Sequence, residues 1–334
     1  MTGGTAQRAI AWLTPAQAGF VCDALAAARL ELVGAGTPGQ GRSSAAATAL
    51  DVEPRDDLRT DLLEAEVDLI LIASPGPFGA DDASDLSAIA AASARGVRVV
   101  ALEPIPADAR MIGEPTHQIT DSITMAPLFR YAPAVRAVRE VLDQFGHVRS
   151  AALHTTCGAR HVSLGALIFD TFDMLVALLG EPDSIDAAYV STGQGDGIHA
   201  LPGESLRNLG GELNAVVRYP DGRSAIIALS DQAGVWSRRA VLTGPAGQLT
   251  LHDDGFEWVR PDGSVADRTE IRATGDPAAH ALGDALIRLL DPALGPQKPA
   301  DVRTTLAMAQ VALLSARTGQ GESMSTILRM LETA

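Results

Sequence analysis

Lysine is almost missing from this chain of 334 residues. Of its 26 lysine and arginine residues, all but Lys298 are arginine. A reaction that needs a lysine as acid, base or Schiff-base former is therefore excluded unless the loop around Lys298 reaches the site. Aromatic residues are also scarce, at 4% of the chain. The hydrophobic core must accordingly be built from aliphatic side chains and alanine.

Clusters of basic residues are missing too, and the formal net charge is −15. Nucleic-acid backbones and anionic membrane surfaces both bind proteins through clustered cations. We therefore expect neither nucleic acid nor a membrane as a partner. The sequence also lacks the ~18 to 20 consecutive apolar residues of a membrane span and the pattern of a signal peptide. A cytoplasmic protein is the expectation.

Cysteine is limited to Cys22 and Cys157, which fall in a predicted helix and a predicted strand. Neither has a second cysteine at the spacing of metal ligands. His154 and His161 are not at the spacing of a helical metal site either, and no neighbouring carboxylate completes a ligand set. We expect reduced thiols and no metal.

Residue patterns divide the chain into two parts. Over residues 8–102 short apolar runs alternate with helix-favouring segments, which predicts a parallel sheet with right-handed crossovers. After about Ser122, long alternating runs are separated by hairpin signals such as Pro220-Asp-Gly222 and Pro261-Asp-Gly263. We predict an α/β chain: a Rossmann-like parallel domain over residues 1–122, and an α+β domain with a large, mostly antiparallel open sheet over residues 123–334.

Hydrophobic spacing also places individual elements in the second part. Helices are predicted over residues 133–144, 164–179, 277–290 and 301–317. Strands are predicted over residues 211–219, 223–231, 239–243 and 248–252. Because turn signals separate them, these strands are expected to pair in sequence as an antiparallel meander.

Several short sequence motifs occur in an order and spacing that point to one family. They are Glu66-Val-Asp-Leu-Ile-Leu-Ile-Ala-Ser-Pro75, Gly96-Val-Arg-Val-Val-Ala-Leu-Glu-Pro104, Phe129-Arg-Tyr-Ala-Pro-Ala-Val-Arg136, Leu178-Leu-Gly-Glu-Pro182 and Arg239-Ala-Val-Leu-Thr-Gly-Pro-Ala-Gly-Gln-Leu249. Together they resemble the Gfo/Idh/MocA oxidoreductases, NAD(P)-dependent dehydrogenases of sugars and cyclitols, over nearly the whole chain. The resemblance implies NAD or NADP as cofactor, a small polar substrate, and subunit pairing through the open sheet.

In that family a Gly-x-Gly-x-x-Gly turn lets the backbone approach a pyrophosphate at a helix N-terminus. The corresponding stretch here is Thr14-Pro-Ala-Gln-Ala-Gly19, in which Gly19 alone remains, at the position expected to pack helix against strand. Arg42, after the second strand, would favour the 2′-phosphate of NADP, and the alternative is that it belongs to an ordinary surface loop. The alternative is a strand-to-helix turn without a ligand, because Pro15 removes a donor. The resemblance places the cofactor beside Thr14, Ala16, Gly19, Ser74 and Pro75.

The family's catalytic lysine and histidine are both replaced. Its Glu-Lys-Pro motif corresponds to Glu103-Pro-Ile-Pro106, and its histidine corresponds to Asp170. An aspartate is a base near pH 7 only if burial or a second carboxylate raises its pKa. Asp173 lies one turn along the same predicted helix face. Glu103, Asp170 and Asp173 are thus the catalytic candidates. The alternative is that both aspartates are solvated, capped or paired with arginine, for which Arg130 and Arg160 are available.

Five further polar residues are expected near the cleft between the two domains. They are candidates for binding a small polar substrate, and a structural role is the alternative for each. Two lie at the domain junction and three lie before the helix predicted over residues 164–179: Arg130, Tyr131, His154, Arg160 and His161.

The departures from the family pattern fall on cofactor and proton-transfer positions, while strands and turns stay regular. Losing one proton-transfer group typically costs about 10² to 10⁴ in rate. We therefore predict a homologue without the usual hydride transfer, acting as a non-catalytic subunit. Its partner through the C-terminal sheet would be a second copy or a related active subunit. The alternatives are an active NAD(P)-dependent oxidoreductase that uses Asp170, and a cofactor-independent lyase, isomerase or hydrolase that uses Glu103, Asp170 and Asp173.

Overall fold

The computed structural model describes residues 7–38, 43–79, 83–109, 122–192, 201–271, 275–294 and 299–333. Arg42 and Lys298 lie outside these ranges. The described residues form one sheet of six strands and one of nine. The predicted α/β class, with a Rossmann-like parallel sheet followed by a mostly antiparallel open sheet, is confirmed.

The first sheet is entirely parallel, in the order β3-β2-β1-β4-β5-β6. Its strands are β1 (Arg8–Trp12), β2 (Glu31–Gly36), β3 (Glu53–Arg55), β4 (Leu69–Ile72), β5 (Arg98–Ala101) and β6 (Ile123–Met125). β6 belongs to this first sheet, although it lies just beyond residue 122, in the stretch assigned to the second domain from the sequence. The strand order reverses between β1 and β4. In open parallel sheets, ligands bind outside the carboxyl ends of the strands at such a reversal.

Within the described ranges, four helices lie between these strands: α1 (Ala18–Ala27), α2 (Ser43–Leu50), α3 (Leu58–Glu64) and α4 (Ala83–Ala94). A 3-10 turn, Pro15–Gln17, leads from β1 to α1. All four side chains of β4 are buried, as expected for a parallel strand covered on both faces.

The second sheet has the order β14-β13-β12-β11-β7-β10-β9-β8-β15. Its strands are β7 (Ser150–Thr156), β8 (Ser184–Ser191), β9 (Gly211–Arg218), β10 (Ser224–Ser230), β11 (Ser237–Gly244), β12 (Gly247–His252), β13 (Gly255–Val259), β14 (Val265–Glu270) and β15 (Glu322–Ser323). β7 lies between β10 and β11, parallel to the first and antiparallel to the second. The predicted meander is therefore wrong at this point, because hairpin signals specify only local pairs.

The second part also contains seven helices among the described residues: α5 (Leu128–Tyr131), α6 (Pro133–Ala137), α7 (Arg139–Phe145), α8 (Leu164–Leu179), α9 (Pro277–Leu290), α10 (Val302–Thr318) and α11 (Met324–Thr333). α8 has the predicted bounds, because the Ser163 side chain caps its start and Gly180 follows its end. The single helix predicted over residues 133–144 is divided in two at Val138.

The two parts of the chain are joined by helix packing. α1 of the first part contacts α9 of the second so closely that a Cβ atom on Gly283 would lie 2.9 Å from the Cβ atom of Ala27. α8 and α10 cover one face of the large sheet. Within the described ranges, no helix is both long and apolar enough to cross a membrane. The candidate site lies at this junction, beside the carboxyl ends of β1, β4 and β5.

Candidate functional site

The turn after β1 is held by its own glutamine. Gln17 is 3% exposed, and its Oε1 atom accepts a hydrogen bond from the Thr14 amide at 2.9 Å. Its Nε2 atom donates to the His161 carbonyl at 2.8 Å and is 3.4 Å from the Ala73 carbonyl. The side chain therefore connects the turn to the second part of the chain. This connection lies on the turn that a dinucleotide phosphate would approach.

Gly19 does not have the role that the sequence suggested. A Cβ atom built on Gly19 would meet nothing within 4 Å among the described residues, and the residue lies exposed in α1. The preceding residue, Ala18, is buried instead. The prediction that Gly19 permits close helix-to-strand packing is therefore wrong, because α1 turns this position toward solvent.

The crevice beyond β1 is occupied by protein contacts. A Cβ atom on Gly76 would lie 2.3 Å from the Cβ atom of Pro38, so the loops after β4 and β2 touch. The Ser74 amide, before Gly76, donates to the Trp12 carbonyl at 3.0 Å. Pro75 is buried. The described parts of the loops after β2 and β4 are therefore in contact where they would flank a dinucleotide.

Trp12 is packed across the end of the neighbouring strand. A Cβ atom on Gly36, the last residue of β2, would lie 2.6 Å from the indole ring. The indole Nε1 atom donates to Asp61 at 3.0 Å, and burial raises the pKa of Asp61. A bulky ring thus lies beside the end of β2, where the dehydrogenase pattern has a ribose-binding carboxylate.

Asp170 uses both of its carboxylate oxygens. One accepts a hydrogen bond from the Phe129 amide at 2.7 Å, and the other contacts Nη1 of Arg238 at 3.1 Å. Burial raises the pKa of Asp170 to about 6, and the attraction of Arg238 only partly opposes this. Asp170 therefore has the raised pKa of a candidate base, and each of its two oxygens already has one partner.

Asp173 is bound by Arg130 in a two-pronged contact. The Nε atom of Arg130 donates to Oδ2 at 2.8 Å, and its Nη2 atom donates to Oδ1 at 2.5 Å. Such paired contacts match the fork of a guanidinium to a carboxylate. Of the roles considered for Asp173, pairing with an arginine is the one seen in the structure, and Arg130 is the partner. Arg160 is exposed and lies near Asp276 instead.

Glu103 follows β5 and is also paired. Its Oε2 atom lies 3.5 Å from Nη1 of Arg207, and Ser163 supplies a side-chain hydrogen bond. Burial raises the pKa of Glu103 above its usual range. The three candidate carboxylates therefore contact three different arginines, Arg130, Arg207 and Arg238. Each arginine favours the charged form of its carboxylate and so opposes proton uptake by it.

His161 is buried between the two parts of the chain and contacts both. Its Nε2 atom lies 2.8 Å from Oδ2 of Asp276, the residue that caps α9. The imidazole lies between the rings of Phe20 and Trp236, with centroid distances of 5.7 and 5.4 Å. These contacts assign His161 a structural position at the junction, where it joins α1, α9 and the loop before β11.

The remaining substrate candidates do not converge on the cleft. His154 is exposed on the uncovered face of the large sheet, beside Arg239 in the neighbouring strand. Its predicted place on the cleft side is wrong, because alternation along β7 turns Leu153 and Thr155 inward. Tyr131 is buried in α5, and burial raises its pKa.

One small cavity adjoins Asp170. The cavity lined by Leu102, Val162, Ala166 and Asp170 has a volume of about 10 Å³, about enough for one water molecule. A larger groove of about 550 Å³ lies outside α1, bordered by Ala16, Gly19, Asp23, Arg160, Trp236 and Pro277. In the part of the chain that the structure describes, no group of three His, Cys, Asp or Glu residues has the geometry of a metal site.

The arrangement of both sheets was compared with solved structures. A putative myo-inositol dehydrogenase from Sinorhizobium meliloti is 19% identical, with a TM-score of 0.64 over 96% of this chain and 100% of that chain. An oxidoreductase from Agrobacterium radiobacter, in complex with NAD+, L-tartaric acid and magnesium, is 13% identical, with a TM-score of 0.69 over 97% and 100%. Levoglucosan dehydrogenase in complex with NADH and levoglucosan is 12% identical, with a TM-score of 0.69 over 96% and 100%.

The chain has the Gfo/Idh/MocA oxidoreductase fold. The resemblance drawn from its sequence phrases is thereby confirmed for the fold, along nearly the whole chain. No protein-family model matches the sequence, and no curated protein matches it significantly. Identities of 12 to 19% leave the chemistry of this Gfo/Idh/MocA-fold protein to be argued from its own residues.

Three residues at the site of this Gfo/Idh/MocA-fold protein were missed in the sequence. Arg238 had a signal, because it shares the inward face of β11 with Ala240 and Leu242 at a spacing of two. Arg207 lies in a loop, and Gln17 lies in a turn, where no periodicity marks a side chain as buried. The carbonyl groups that Gln17 contacts through Nε2 lie 56 and 144 residues away in the sequence. The Pro104 carbonyl that Arg207 contacts lies 103 residues away.

Proposed function

We propose that this protein does not transfer hydride and acts as a non-catalytic binding or partner subunit. The pairing of Asp170, Asp173 and Glu103 with three arginines carries the proposal. A general base must take up a proton, and a neighbouring arginine favours the charged form of a carboxylate and so opposes proton uptake. The cavity beside Asp170, at about 10 Å³, is also smaller than a sugar or a nicotinamide ring.

The proposal extends to the cofactor. Two of the similar structures contain NAD+ or NADH, and NAD or NADP would be the expected cofactor of an active relative. We propose that this chain does not hold either one in that manner. The contact between Pro38 and Gly76 and the amide bridge made by Gln17 support this view.

The uncovered face of the large sheet supports a partner. Four side chains from neighbouring strands form a row across its middle, in register: Val241, Ala152, Ile226 and Val216. Ile226 is 58% exposed, although it is central in the sheet. A row of aliphatic side chains on a sheet face suits association with another sheet. We propose a homo-oligomer, or assembly with a related active subunit, through this face.

One observation favours a second candidate, an active NAD(P)-dependent oxidoreductase on a sugar-like or polyol substrate. The pKa of Asp170, raised by burial to about 6, lies close to the range of an effective base at neutral pH. This function requires a second arrangement in which Arg238 leaves Asp170 and the cleft opens. Binding of a dinucleotide would be its first sign.

The test is a titration of the purified protein with NADH and NADPH, followed by nicotinamide fluorescence and thermal shift. We expect no binding up to about 1 mM, with levoglucosan dehydrogenase as the positive control. Micromolar binding of either cofactor would overturn the proposal and favour the oxidoreductase. Turnover of a polyol with reduction of NAD or NADP would overturn it directly.

A further inference from the structure

A short segment of the second part of the chain reaches the carboxyl end of β5. Residues 204–207 precede β9, yet they contact the first domain. The Leu206 amide donates to the Ala107 carbonyl at 3.0 Å. Nη2 of Arg207 lies 3.3 Å from the Pro104 carbonyl and 3.4 Å from the Phe78 carbonyl. The segment therefore covers the residues that directly follow β5.

The other side of this segment is seated on the helices of the second part. A Cβ atom on Gly165 would lie 2.1 Å from the Leu206 carbonyl oxygen, so the segment lies directly on the first turn of α8. The Glu204 carbonyl accepts a hydrogen bond from Gln310 at 3.2 Å, and its side chain pairs with Arg317 at 2.9 Å. The segment is thus held between β5, α8 and α10.

The contact between Arg207 and Glu103 lies under this segment. The two side chains are 5% and 11% exposed, and Nη1 and Oε2 are 3.5 Å apart. Nε of Arg207 is buried without a hydrogen-bond partner within the described part of the chain. A buried ion pair stabilises a protein only when its geometry and remaining hydrogen bonds are good. This pair closes the cleft with an incomplete set of hydrogen bonds. Separating its two side chains therefore costs less free energy than separating a fully hydrogen-bonded pair.

We propose that residues 204–207 form a strap that closes the cleft between the two parts, and that the contact of Arg207 with Glu103 is its latch. The small cavity beside Asp170 is lined by Leu102 and Ala166, which directly follow or precede two residues in contact with the strap, Gly165 and Glu103. Ligands reach Glu103 and Asp170 only after the strap leaves Ala107. The latch is independent of whether the open cleft supports hydride transfer.

Hydrogen exchange of the full chain, followed by mass spectrometry, measures the strap directly. The Leu206 amide is protected by its bond across the cleft, and β5 (Arg98–Ala101) reports global opening. In Arg207→Met we expect the peptide containing Leu206 to exchange at least tenfold faster, with the β5 peptide unchanged. Arg317→Met is the matched control, because its ion pair with Glu204 is exposed, and its exchange should stay within about twofold of wild type.

A second variant protects the test against misfolding. Glu103→Gln keeps the shape of the side chain but removes its charge, and it should accelerate the Leu206 peptide in the same direction. The readout is the ratio of exchange rates at Leu206 and β5. An unchanged ratio in both variants overturns the latch, whether both rates stay constant or both rise together. Binding of NADH is not part of the readout, so this test fails or succeeds separately from the proposed function.

Discussion

Nη1 of Arg238 lies 3.1 Å from Oδ2 of Asp170, and this contact places a cation from β11 against the residue that the sequence resemblance matched to the family's histidine. The same guanidinium donates from Nε to Asp253 at 2.8 Å and lies 4.6 Å from the centre of the Phe129 ring. Arg238 is 3% exposed. Asp170 is therefore part of a buried network that joins α8, β11 and the turn after β12.

The first prediction concerns this network. Arg238→Met should lower the free energy of unfolding by about 3 to 5 kcal/mol, because two buried carboxylates lose their cation. Arg239→Met is the matched control: Arg239 is the next residue along β11 and is exposed on the open face, so its change should stay within about 0.5 kcal/mol. Urea unfolding measures both. Equal losses in the two variants would show that Arg238 is not the buried anchor.

The second prediction is a pH dependence of stability. Burial raises the pKa of Asp170 from 3.8 to about 6, so the folded state binds this proton more tightly than the unfolded state. The stabilisation from this proton is complete below about pH 4 and is lost as pH rises through about 6, a loss of roughly 3 kcal/mol. Asp170→Asn does not titrate and should lack this part of the slope. Parallel stability profiles from pH 4 to 7 would contradict the shift.

The third prediction compares two glycines within helices. Gly165→Ala should lower stability by about 1 to 3 kcal/mol, because the new Cβ atom would lie 2.1 Å from the Leu206 carbonyl oxygen. Gly19→Ala should raise stability by about 0.5 to 1 kcal/mol, because nothing described lies within 4 Å and alanine favours helix. Thermal and urea unfolding give the two signs. Destabilisation by Gly19→Ala would restore the packing role that the sequence suggested.

The fourth prediction concerns assembly. Ile226→Glu should convert oligomers to monomers, because it places a charge in the middle of the aliphatic row on the sheet face. Leu63→Glu is the control. Leu63, like Ile226, is an exposed aliphatic side chain, with 45% of its surface accessible, but it lies in α3 of the first domain. Sedimentation velocity distinguishes the two variants. A monomeric wild-type protein, or dissociation by Leu63→Glu alone, would exclude the sheet face as the interface.

Much of the fold follows from local sequence. α8 begins and ends where predicted because Ser163 and Gly180 act within a few residues of their helix. The alternation of β1, α1, β2 and the later elements likewise reflects short-range hydrophobic spacing. Loss of the lysine and of the glycine turn is also visible in the sequence alone, since it concerns which residues are present. These features needed no knowledge of distant contacts.

Tertiary structure alone decided how the pieces meet. β7 entered the sheet between β10 and β11, and Arg238, Arg207 and Gln17 each found partners on other elements. Local patterns indicate whether a side chain turns inward, as at Arg238, but not which buried charge it meets. That choice depends on the packing of segments far apart in the chain. The sequence by itself determined the two-sheet architecture and the missing catalytic groups, while packing determined that the remaining carboxylates are bound to arginine.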